Sequence, residues 1–387
     1  MPNVDFYFDY TCPFAYLAST QVPAECTYRP ILLGGVFKAV GQEQNLAGTL
    51  SPQKQAHNLA DMQRWAKHFG VELRMPPTHP MRSVEALRAT LATGIDRKVV
   101  NAFYRAYWIE NRNIADRNVV ADVLTKAGQD ATRVMERASS REVKDDLRKR
   151  TDEAVARGVF GVPTFIVDGK ELYWGQDRMS FVFGTKWPPA KKAPAGTVID
   201  VYWDFSSPFA YLASTQLAAL AARTGATLVE KPILLGGLFR SIGTADVPLA
   251  TFSEAKQRHV SADLDRWAKK WGVPFRFPSR FPMLTVKALR VWYALAPEKR
   301  AAFRDATMRA FWAEDRDIAD DAVLASLAGD PEAVARSSAD DVKAALRAST
   351  DEAAAKNVFG VPTFVVNGRD LWWGQDRIEL LERAIAE

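Results

Sequence analysis

Two residues stand where an apolar strand pattern passes into a helix, and both could stabilise a sulfur anion. Cys12 and Ser207 each precede a proline, which favours the first position of a helix. The unpaired amides of a first helical turn carry partial positive charge and stabilise an anion by about 0.3–2 kcal/mol. A serine there would donate its hydroxyl to a bound thiolate, whereas a cysteine would itself be acidified below its usual pKa of about 8.5.

Both residues also have plain structural interpretations. Ser207 would serve as a helix N-cap, and Cys12 as a small buried apolar residue. A redox pair needs a second thiol one helical turn after the first, but Ala15 and Ala210 occupy those positions. Cys26 would lie about 20 Å from Cys12 along a continuous helix, so we do not expect a resolving cysteine within one domain.

Two Val-Pro pairs precede predicted strands. In Val162-Pro163 and Val361-Pro362 the proline removes a hydrogen-bond donor from an otherwise apolar run, and a cis peptide is one good reason to accept it. The alternative is an ordinary proline at the first residue of a strand. A cis proline would turn the preceding backbone groups outward, so that a peptide-like ligand could pair with the strand edge.

Two acidic residues follow the last predicted strands. Asp177 and Asp376 each come after a glycine and a glutamine and precede an arginine. A helix N-cap is the plain interpretation of each. The two roles are compatible, because such a carboxylate can cap a helix with one oxygen and hold a ligand ammonium group with the other.

A lysine precedes a histidine by three residues at two places, Lys54 with His57 and Lys256 with His259. This spacing puts both side chains on one helix face. Proton transfer to a substrate is conceivable, but we expect solvent-exposed pairs. His259 is the only histidine after residue 200, and no Gly-x-Ser-x-Gly elbow surrounds Ser207, so a hydrolase triad is not expected there.

Composition excludes several broad classes. With 48% hydrophobic and 25% charged residues among 387, the chain has the usage of a folded globular protein. Two cysteines and four histidines are too few and too scattered for a disulfide scaffold or a zinc site, so we expect no metal. The sequence shows no signal-peptide pattern and no run of 18 apolar residues, so we expect a cytoplasmic protein without a membrane partner.

The net charge of +5 is spread over helical stretches in which basic and acidic residues alternate. Such interleaving is typical of solvated helix faces, so we do not expect nucleic-acid binding. The excess of basic over acidic residues is compatible with a mild attraction for a small anionic substrate. The excess lies in the first half of the chain, since residues 1–195 hold 27 basic and 21 acidic residues and residues 196–387 hold 24 and 25.

Internal similarity predicts a tandem duplication. The two copies are residues 1–185 and 197–387, and a proline-rich linker joins them at residues 186–196. Five motifs occur twice in the same order: Asp-Tyr-Thr-Cys-Pro-Phe-Ala-Tyr-Leu-Ala at 9–18 with Asp-Phe-Ser-Ser-Pro-Phe-Ala-Tyr-Leu-Ala at 204–213, Pro-Ile-Leu-Leu-Gly-Gly at 30–35 and 232–237, Arg-Trp-Ala-Lys at 64–67 and 266–269, Val-Phe-Gly-Val-Pro-Thr-Phe at 159–165 and 358–364, and Trp-Gly-Gln-Asp-Arg at 174–178 and 373–377.

Each copy reads as strand, helix, strand, a long helical stretch, a hairpin and a final helix. In the second copy the strands are predicted at 198–205 and 227–235, the helical stretch at 252–356, the hairpin turn at Asn367-Gly368 and the last helix from about Asp376. This order predicts an α/β protein of two tandem thioredoxin-like domains, each with an inserted all-helical subdomain. The first copy lacks seven residues after Gln21, so its first helix should be shorter.

The five motifs together resemble the 2-hydroxychromene-2-carboxylate isomerase family, which is related to kappa-class glutathione transferases and DsbA-type thiol oxidoreductases. The resemblance covers nearly all of both copies and implies a glutathione site in each. In the second copy it implies that Ser207 holds the glutathione sulfur as thiolate. The backbone of Val361, before cis-Pro362, would pair with the cysteinyl part, and Gln375 and Asp376 would hold the γ-glutamyl end.

The matching positions in the first copy are Val162, Pro163, Gln176 and Asp177, but Cys12 replaces the serine. By the resemblance, this site either forms a mixed disulfide with glutathione or is a degenerate copy kept as a structural partner. The family usually has Gly-Asn in the loop after Gly-Gly, where this chain has Gly-Gln at 41–42 and Gly-Thr at 243–244. That glutathione contact is therefore expected to be altered or lost.

The resemblance implies a glutathione-dependent cis-trans isomerase of aromatic-ring catabolism that acts on a small aromatic anionic substrate. The thiolate would add reversibly to a double bond conjugated with a carbonyl, with Phe14, Tyr16, Phe209 and Tyr211 as candidates to contact the aromatic ring. Alternatives are a kappa-like glutathione transferase or a glutathione-linked thiol-disulfide oxidoreductase using Cys12, and a non-catalytic binding protein. Since isomerases of this family are dimers, the duplicated chain is expected to form an internal pseudo-dimer, with further homo-dimerisation left open.

Overall fold

The computed structural model describes residues 2–43, 46–245 and 247–386, and these divide into two compact units. The first unit holds the described residues up to Leu50, Asn58–Trp187 and Ser253–His259. The second holds Ser51–His57, Pro188–Phe252 and the described residues from Val260 onward. Each unit is therefore one sequence copy that lacks a short segment of its own and includes the matching segment of the other copy.

The first unit is built on a four-stranded mixed sheet of order β2-β1-β3-β4. Its strands are β1 (Val4–Phe8), β2 (Thr27–Pro30), β3 (Thr164–Val167) and β4 (Glu171–Trp174). β1 pairs parallel with β2 and antiparallel with β3, and β3 pairs antiparallel with β4. Because β1 lies in the middle, its aromatic side chains are buried and Phe6 stacks on Phe165 at 5.3 Å between ring centroids.

The first helix of the first copy connects β1 to β2, most of the other helices lie between β2 and β3, and the last one follows β4. They are α1 (Pro13–Ser19), α2 (Leu33–Ala39), α3 (Pro52–Phe69), α4 (Val84–Ala92), α5 (Arg97–Trp108), α6 (Arg117–Lys126), α7 (Ala131–Ser139), α8 (Arg141–Ala156) and α9 (Met179–Phe183). The run from α3 to α8 is the helical insertion that the sequence predicted.

The second unit repeats this plan with a sheet of order β6-β5-β7-β8. Its strands are β5 (Val198–Trp203), β6 (Thr227–Pro232), β7 (Thr363–Val366) and β8 (Asp370–Trp373). The helices of this copy are α10 (Pro208–Ser214), α11 (Leu217–Thr224), α12 (Leu235–Ser241), α13 (Glu254–Trp271), α14 (Val286–Ala294), α15 (Pro297–Trp312), α16 (Asp321–Ala328), α17 (Pro331–Arg336), α18 (Asp340–Ala355) and α19 (Ile378–Ala384).

The structure confirms the predicted fold class and the main local features of both copies. The β7–β8 hairpin turns at Asn367 and Gly368, with φ of 49° and 72°, as an Asn-Gly turn of this type requires. The second copy has α11 after α10, whereas the first passes from α1 directly to β2. The seven missing residues therefore remove a whole helix.

A buried aspartate joins the end of the central strand to the inserted helices. Asp204, which is 1% exposed, accepts hydrogen bonds from Leu235 N at 2.8 Å, Ser206 N at 2.9 Å and Thr285 Oγ1 at 2.7 Å. Burial raises the pKa of Asp204, and the three donors oppose that shift. The carboxylate thereby ties the start of α12 and the start of α14 to the segment that leads into α10.

Asp9 occupies the same position in the first unit. Its carboxylate accepts hydrogen bonds from Leu33 N at 2.8 Å and Thr11 N at 3.1 Å, and burial likewise raises its pKa. In the sequence, both aspartates are recognised only as part of the repeat. Each aspartate directly follows an alternating strand pattern, and this position could have indicated a buried carboxylate. Such a carboxylate needs several hydrogen-bond donors.

Asp204→Ala should lower the free energy of unfolding of the second unit by about 2–4 kcal/mol, because three donors lose their acceptor. Asp320→Ala, which removes an exposed helix N-cap that accepts from Val323 N, should cost only about 1 kcal/mol. Urea denaturation followed by tryptophan fluorescence measures both. Equal losses would show that the Asp204 network contributes no more than an exposed cap.

Candidate active sites

The Ser207 hydroxyl is held between a helix start and a strand end. Its oxygen accepts from Ala210 N at 3.2 Å, and the hydroxyl donates to the carbonyl oxygen of Val361 at 3.1 Å. Ser207 is 4% exposed and has an extended backbone, so it caps α10 as the plain interpretation requires. The N-cap role and a ligand role are thus compatible. The cap uses only the hydroxyl oxygen as an acceptor, so the hydroxyl proton could move from Val361 O to a ligand atom.

The Val361-Pro362 peptide is cis, which is one of the two interpretations that the sequence left open and the one that the resemblance implies. Pro362 O accepts from Gly374 N at 2.9 Å, which joins this loop to the end of β8. The turn Gln375–Arg377 that follows lies against α10. The second unit therefore brings together predicted residues from two distant parts of the sequence, Ser207 and the segment 361–376.

Asp376 lies inside that turn rather than at a helix N-cap. The turn is a short 3-10 helix over Gln375–Arg377, and α19 begins after it at Ile378, so the N-cap interpretation of Asp376 is wrong. Asp376 pairs with Arg377 at 3.2 Å, and Gln375 is buried. Gly374 has a φ of 105° and a side chain there would collide with the Asp376 carboxylate, so glycine is needed for this turn.

The first unit has the same arrangement around a thiol. Cys12 lies at the start of α1 and its Sγ donates to Val162 O at 3.1 Å, while the Val162-Pro163 peptide is cis. Pro163 O accepts from Gly175 N at 2.9 Å. Gln176 is buried and Asp177 pairs with the neighbouring arginine at 2.9 Å, in a 3-10 helix over Gln176–Arg178. The N-cap interpretation of Asp177 is therefore also wrong.

The expectation that helix amides acidify Cys12 is wrong. Burial raises the pKa of Cys12 to about 12, although the amides of Phe14 and Ala15 act in the opposite direction. The desolvation of a thiolate in this buried position outweighs the attraction of the helix start. Cys12 is therefore a thiol at neutral pH, unlike the reactive cysteines of electropositive, partly exposed sites.

We predicted that the two Lys-His pairs are solvent-exposed, and this prediction is wrong because both histidines are buried. His57 is 6% exposed and packs in the second unit against Phe359, with ring centroids 5.5 Å apart. His259 is 8% exposed and packs in the first unit against Phe160 at 5.6 Å. Each Lys-His pair lies within one helix, as its spacing predicted. The spacing does not indicate which aromatic side chains pack against the histidine.

The aromatic residues named as substrate contacts fall into two groups. Tyr16 and Tyr211 are buried, and their hydroxyls donate to Glu72 O at 2.9 Å and Pro274 O at 2.7 Å, so they hold the loops that follow α3 and α13. Phe14 and Phe209 are partly exposed beside the cap residues. Only the two phenylalanines keep surface for a ligand.

The loops after α3 and α13 differ between the copies at positions that the five motifs do not include. His79 and Arg82 in the first copy correspond to Phe281 and Leu284 in the second, when the repeat offset of the middle motifs is applied. Phe281 lies 5.9 Å from Trp312 between ring centroids, and Leu284 is 81% exposed. The loop of the second unit is therefore the more apolar of the two.

Within the described ranges, no helix is both long and apolar enough to span a bilayer. The same residues contain no cluster of three or more His, Cys, Asp or Glu side chains placed to hold a metal ion.

A family model described as DSBA-like thioredoxin domain matches residues 3–184 and again residues 198–386. The chain belongs to this family. The two matches together cover almost the whole sequence, and the resemblance stated from the motifs is confirmed.

Individual relatives are similar over the length of one copy. The 2-hydroxychromene-2-carboxylate isomerase of Pseudomonas putida is 32% identical over 193 residues, which are 49% of this chain and 94% of the relative. The glutathione S-transferase kappa 1 of Rattus norvegicus is 26% identical over 223 residues, which are 49% of this chain and 96% of the relative. A solved 2-hydroxychromene-2-carboxylate isomerase structure is 29% identical, covers 49% of this chain and 94% of its own, and has a TM-score of 0.44.

Cys12 should react with iodoacetamide at pH 8 at least about 100-fold more slowly than free cysteine, because a pKa of about 12 leaves a minute thiolate fraction. Mass spectrometry of the Cys12 peptide over time measures the rate, and the chain unfolded in urea supplies the reference. Labelling of the folded chain as fast as in urea would show that the helix amides outweigh burial.

Proposed function

We propose that the second unit binds glutathione at Ser207 and uses the thiol to isomerise an aromatic carboxylate. The families related to this chain are enzymes, namely 2-hydroxychromene-2-carboxylate isomerases and kappa glutathione transferases. The observation that carries the proposal is the pair of hydrogen bonds at Ser207, one to Ala210 N and one to Val361 O.

These two hydrogen bonds allow a simple exchange when glutathione binds. The cysteinyl N–H of glutathione would donate to Val361 O and so replace the Ser207 hydroxyl as its donor. The hydroxyl would then turn to the glutathione sulfur and donate to it, which favours the thiolate over the thiol. The buried, amide-lined start of α10 adds positive potential at the same place.

The turn after β8 suits the opposite end of glutathione. The γ-glutamyl end carries an ammonium and a carboxylate, and Asp376 with its neighbour Arg377 offers one charge of each sign. Gln375 adds a buried amide beside them. Because Gly374 N is bonded to Pro362 O, this turn is fixed relative to the strand edge that would pair with the cysteinyl part.

The reaction needs no net consumption of glutathione. The thiolate forms a C–S bond at the β-carbon of a double bond conjugated with a carbonyl, and the π electrons move to the carbonyl oxygen as an enolate. Rotation then takes place about what has become a single bond. When the enolate collapses, the double bond re-forms, the C–S bond breaks and the thiolate is released unchanged.

An aromatic cluster beside this site supports a flat aromatic substrate. Trp312 donates from Nε1 to Phe205 O at 2.8 Å, so its ring lies close to the segment that ends in Ser207. The ring is surrounded by three phenylalanines of the loop after α13, which are Phe275, Phe277 and Phe281. Phe277 is 43% exposed, which leaves surface for a ligand ring.

For the first unit we propose glutathione binding without independent thiol chemistry. The backbone arrangement at Val162 matches that at Val361, but the high pKa of Cys12 leaves little thiolate to attack a disulfide or an electrophile. This is why we place the isomerase proposal ahead of a transferase or an oxidoreductase centred on Cys12.

Calorimetric titration with glutathione should give two binding sites in the wild type and one each in Ser207→Ala and Cys12→Ala. With trans-o-hydroxybenzylidenepyruvate as substrate and glutathione present, turnover followed by absorbance should fall about 100- to 1000-fold in Ser207→Ala, the usual effect of losing one donor to a developing anion. Ser241→Ala, whose hydroxyl donates to Leu238 O, serves as a matched serine control and should keep wild-type turnover.

Absence of any binding that depends on Ser207 or Cys12 would overturn the glutathione proposal. Binding without turnover of this substrate would overturn the isomerase part alone. Steady consumption of glutathione in the presence of an electrophile would instead identify a transferase.

A further inference from the structure

A small cluster of charged side chains lies on one face of the first sheet. The Asp5 carboxylate pairs with Arg29 Nε at 2.9 Å and with Arg157 Nη1 at 2.8 Å. Arg157 also donates to the Tyr7 hydroxyl. Asp5 and Tyr7 alternate along β1 with the buried Phe6, so the cluster lies on the face opposite that ring. Two guanidinium groups thus share one carboxylate at the surface of the first unit.

The second sheet carries the same cluster with one more carboxylate. Asp200 pairs with Lys231 at 3.4 Å and with Lys356 at 2.8 Å. The Glu352 carboxylate lies between the same two lysines, with Oε1 at 2.6 Å from Lys231 Nζ and 3.0 Å from Lys356 Nζ. The Tyr202 hydroxyl donates to the same oxygen at 3.1 Å. Two cations are therefore balanced by two anions in the second unit.

The repeat matches four positions of the two clusters, namely Asp5 with Asp200, Tyr7 with Tyr202, Arg29 with Lys231 and Arg157 with Lys356. Glu153 matches Glu352 in the same way, but its carboxylate pairs with Lys149 at 3.8 Å and its side chain is 61% exposed. Among the described residues, Asp5 is the only acid within 4 Å of either arginine of the first cluster. With two cations and one anion, the first cluster has a formal charge of +1.

The first cluster also has donors for a second carboxylate. The Tyr7 hydroxyl accepts from Arg157, and its own proton has no acceptor among the described residues. Arg29 uses Nε for Asp5, and its two terminal nitrogens make no hydrogen bond within the described part of the chain. The side chains of Arg29 and Arg157 are 41% and 34% exposed, so a ligand can reach both from solvent. The planar guanidinium group matches a carboxylate with two parallel donors.

We propose that the first unit binds the carboxylate of a small organic acid between Tyr7, Arg29 and Arg157. The bound carboxylate makes the contacts that Glu352 makes in the second unit. It accepts from both guanidinium groups and from the Tyr7 hydroxyl, and its single negative charge neutralises the cluster. The inference is independent of the proposed function, because none of these three residues belongs to either candidate active site.

The test is a titration of the full chain with sodium acetate, in which sodium chloride keeps the ionic strength constant. Saturation-transfer NMR on the acetate methyl group gives the Kd. Arg157→Gln and Arg29→Gln should each raise this Kd at least about 10-fold, because each removes a charged donor to the anion. Tyr7→Phe should raise it about 3-fold. Arg157→Lys should stay within about 3-fold, since the second copy has a lysine at this position.

Two variants of the same helix, α8, serve as controls. Arg148 is an exposed arginine of this helix, and Arg148→Gln, which makes the same change of charge, should keep the Kd within about 2-fold. Glu153→Ala should also stay within about 2-fold, because Glu153 pairs with Lys149 and not with the cluster. Circular dichroism and thermal melting of each variant check that the fold is retained.

The second unit supplies a reciprocal experiment. In a chain that already carries Arg157→Gln, Glu352→Ala removes the carboxylate that lies between Lys231 and Lys356. Acetate binding should then return at the second cluster, and the further change Lys356→Gln should abolish it. No return of binding would show that these matched residues do not form a carboxylate site.

Other outcomes would overturn the inference at the first cluster. Equal Kd values for the wild type, Arg157→Gln and Arg29→Gln, with the fold retained, would show that acetate binds elsewhere. Saturable binding that is absent in the wild type and appears only in Glu153→Ala would show that Glu153 serves as an internal carboxylate, as Glu352 does. A parallel titration with inorganic phosphate tests the class of ligand, and tighter binding of phosphate than of acetate would overturn the assignment to a carboxylate.

Discussion

The buried carboxylate of Asp204 is where three parts of the second copy meet, and the site geometry depends on it. It accepts from the starts of two helices and from the segment that leads into α10. An acid without these donors would be too costly to bury, and donors without the acid would be left unsatisfied. Because each side needs the other, these hydrogen bonds hold the segment that carries Ser207 against the starts of both helices.

The sequence predicted the local backbone around the candidate site well and the long-range packing poorly. Ser207, Val361 and Asp376 were identified because proline, glycine and strand patterns restrict the backbone near each of them. The cap role of Asp376 was misjudged, since a 3-10 turn and a helix start share the same local signals. The burial of His57 depends on aromatic residues some 300 positions later, and no spacing rule within one helix can reveal such partners.

Cys12 shows how two correct principles can oppose each other. The amides at the start of α1 do lower its pKa, as the sequence suggested, but the loss of water around the sulfur raises it further. The helix start is visible in the sequence as a Cys-Pro pair, whereas the depth of burial depends on the completed fold. A serine avoids this conflict, since it remains neutral and acts only as a donor and an acceptor.

The exchange of residues 51–57 and 253–259 between the sequence copies affects how a duplicated gene can evolve. After most duplications each copy can lose or change function independently of the other. Here a mutation in the short segment of one copy acts on the unit that contains the rest of the other, so selection on one site constrains both halves of the gene. A recombination event that replaced one entire copy would alter both units at once.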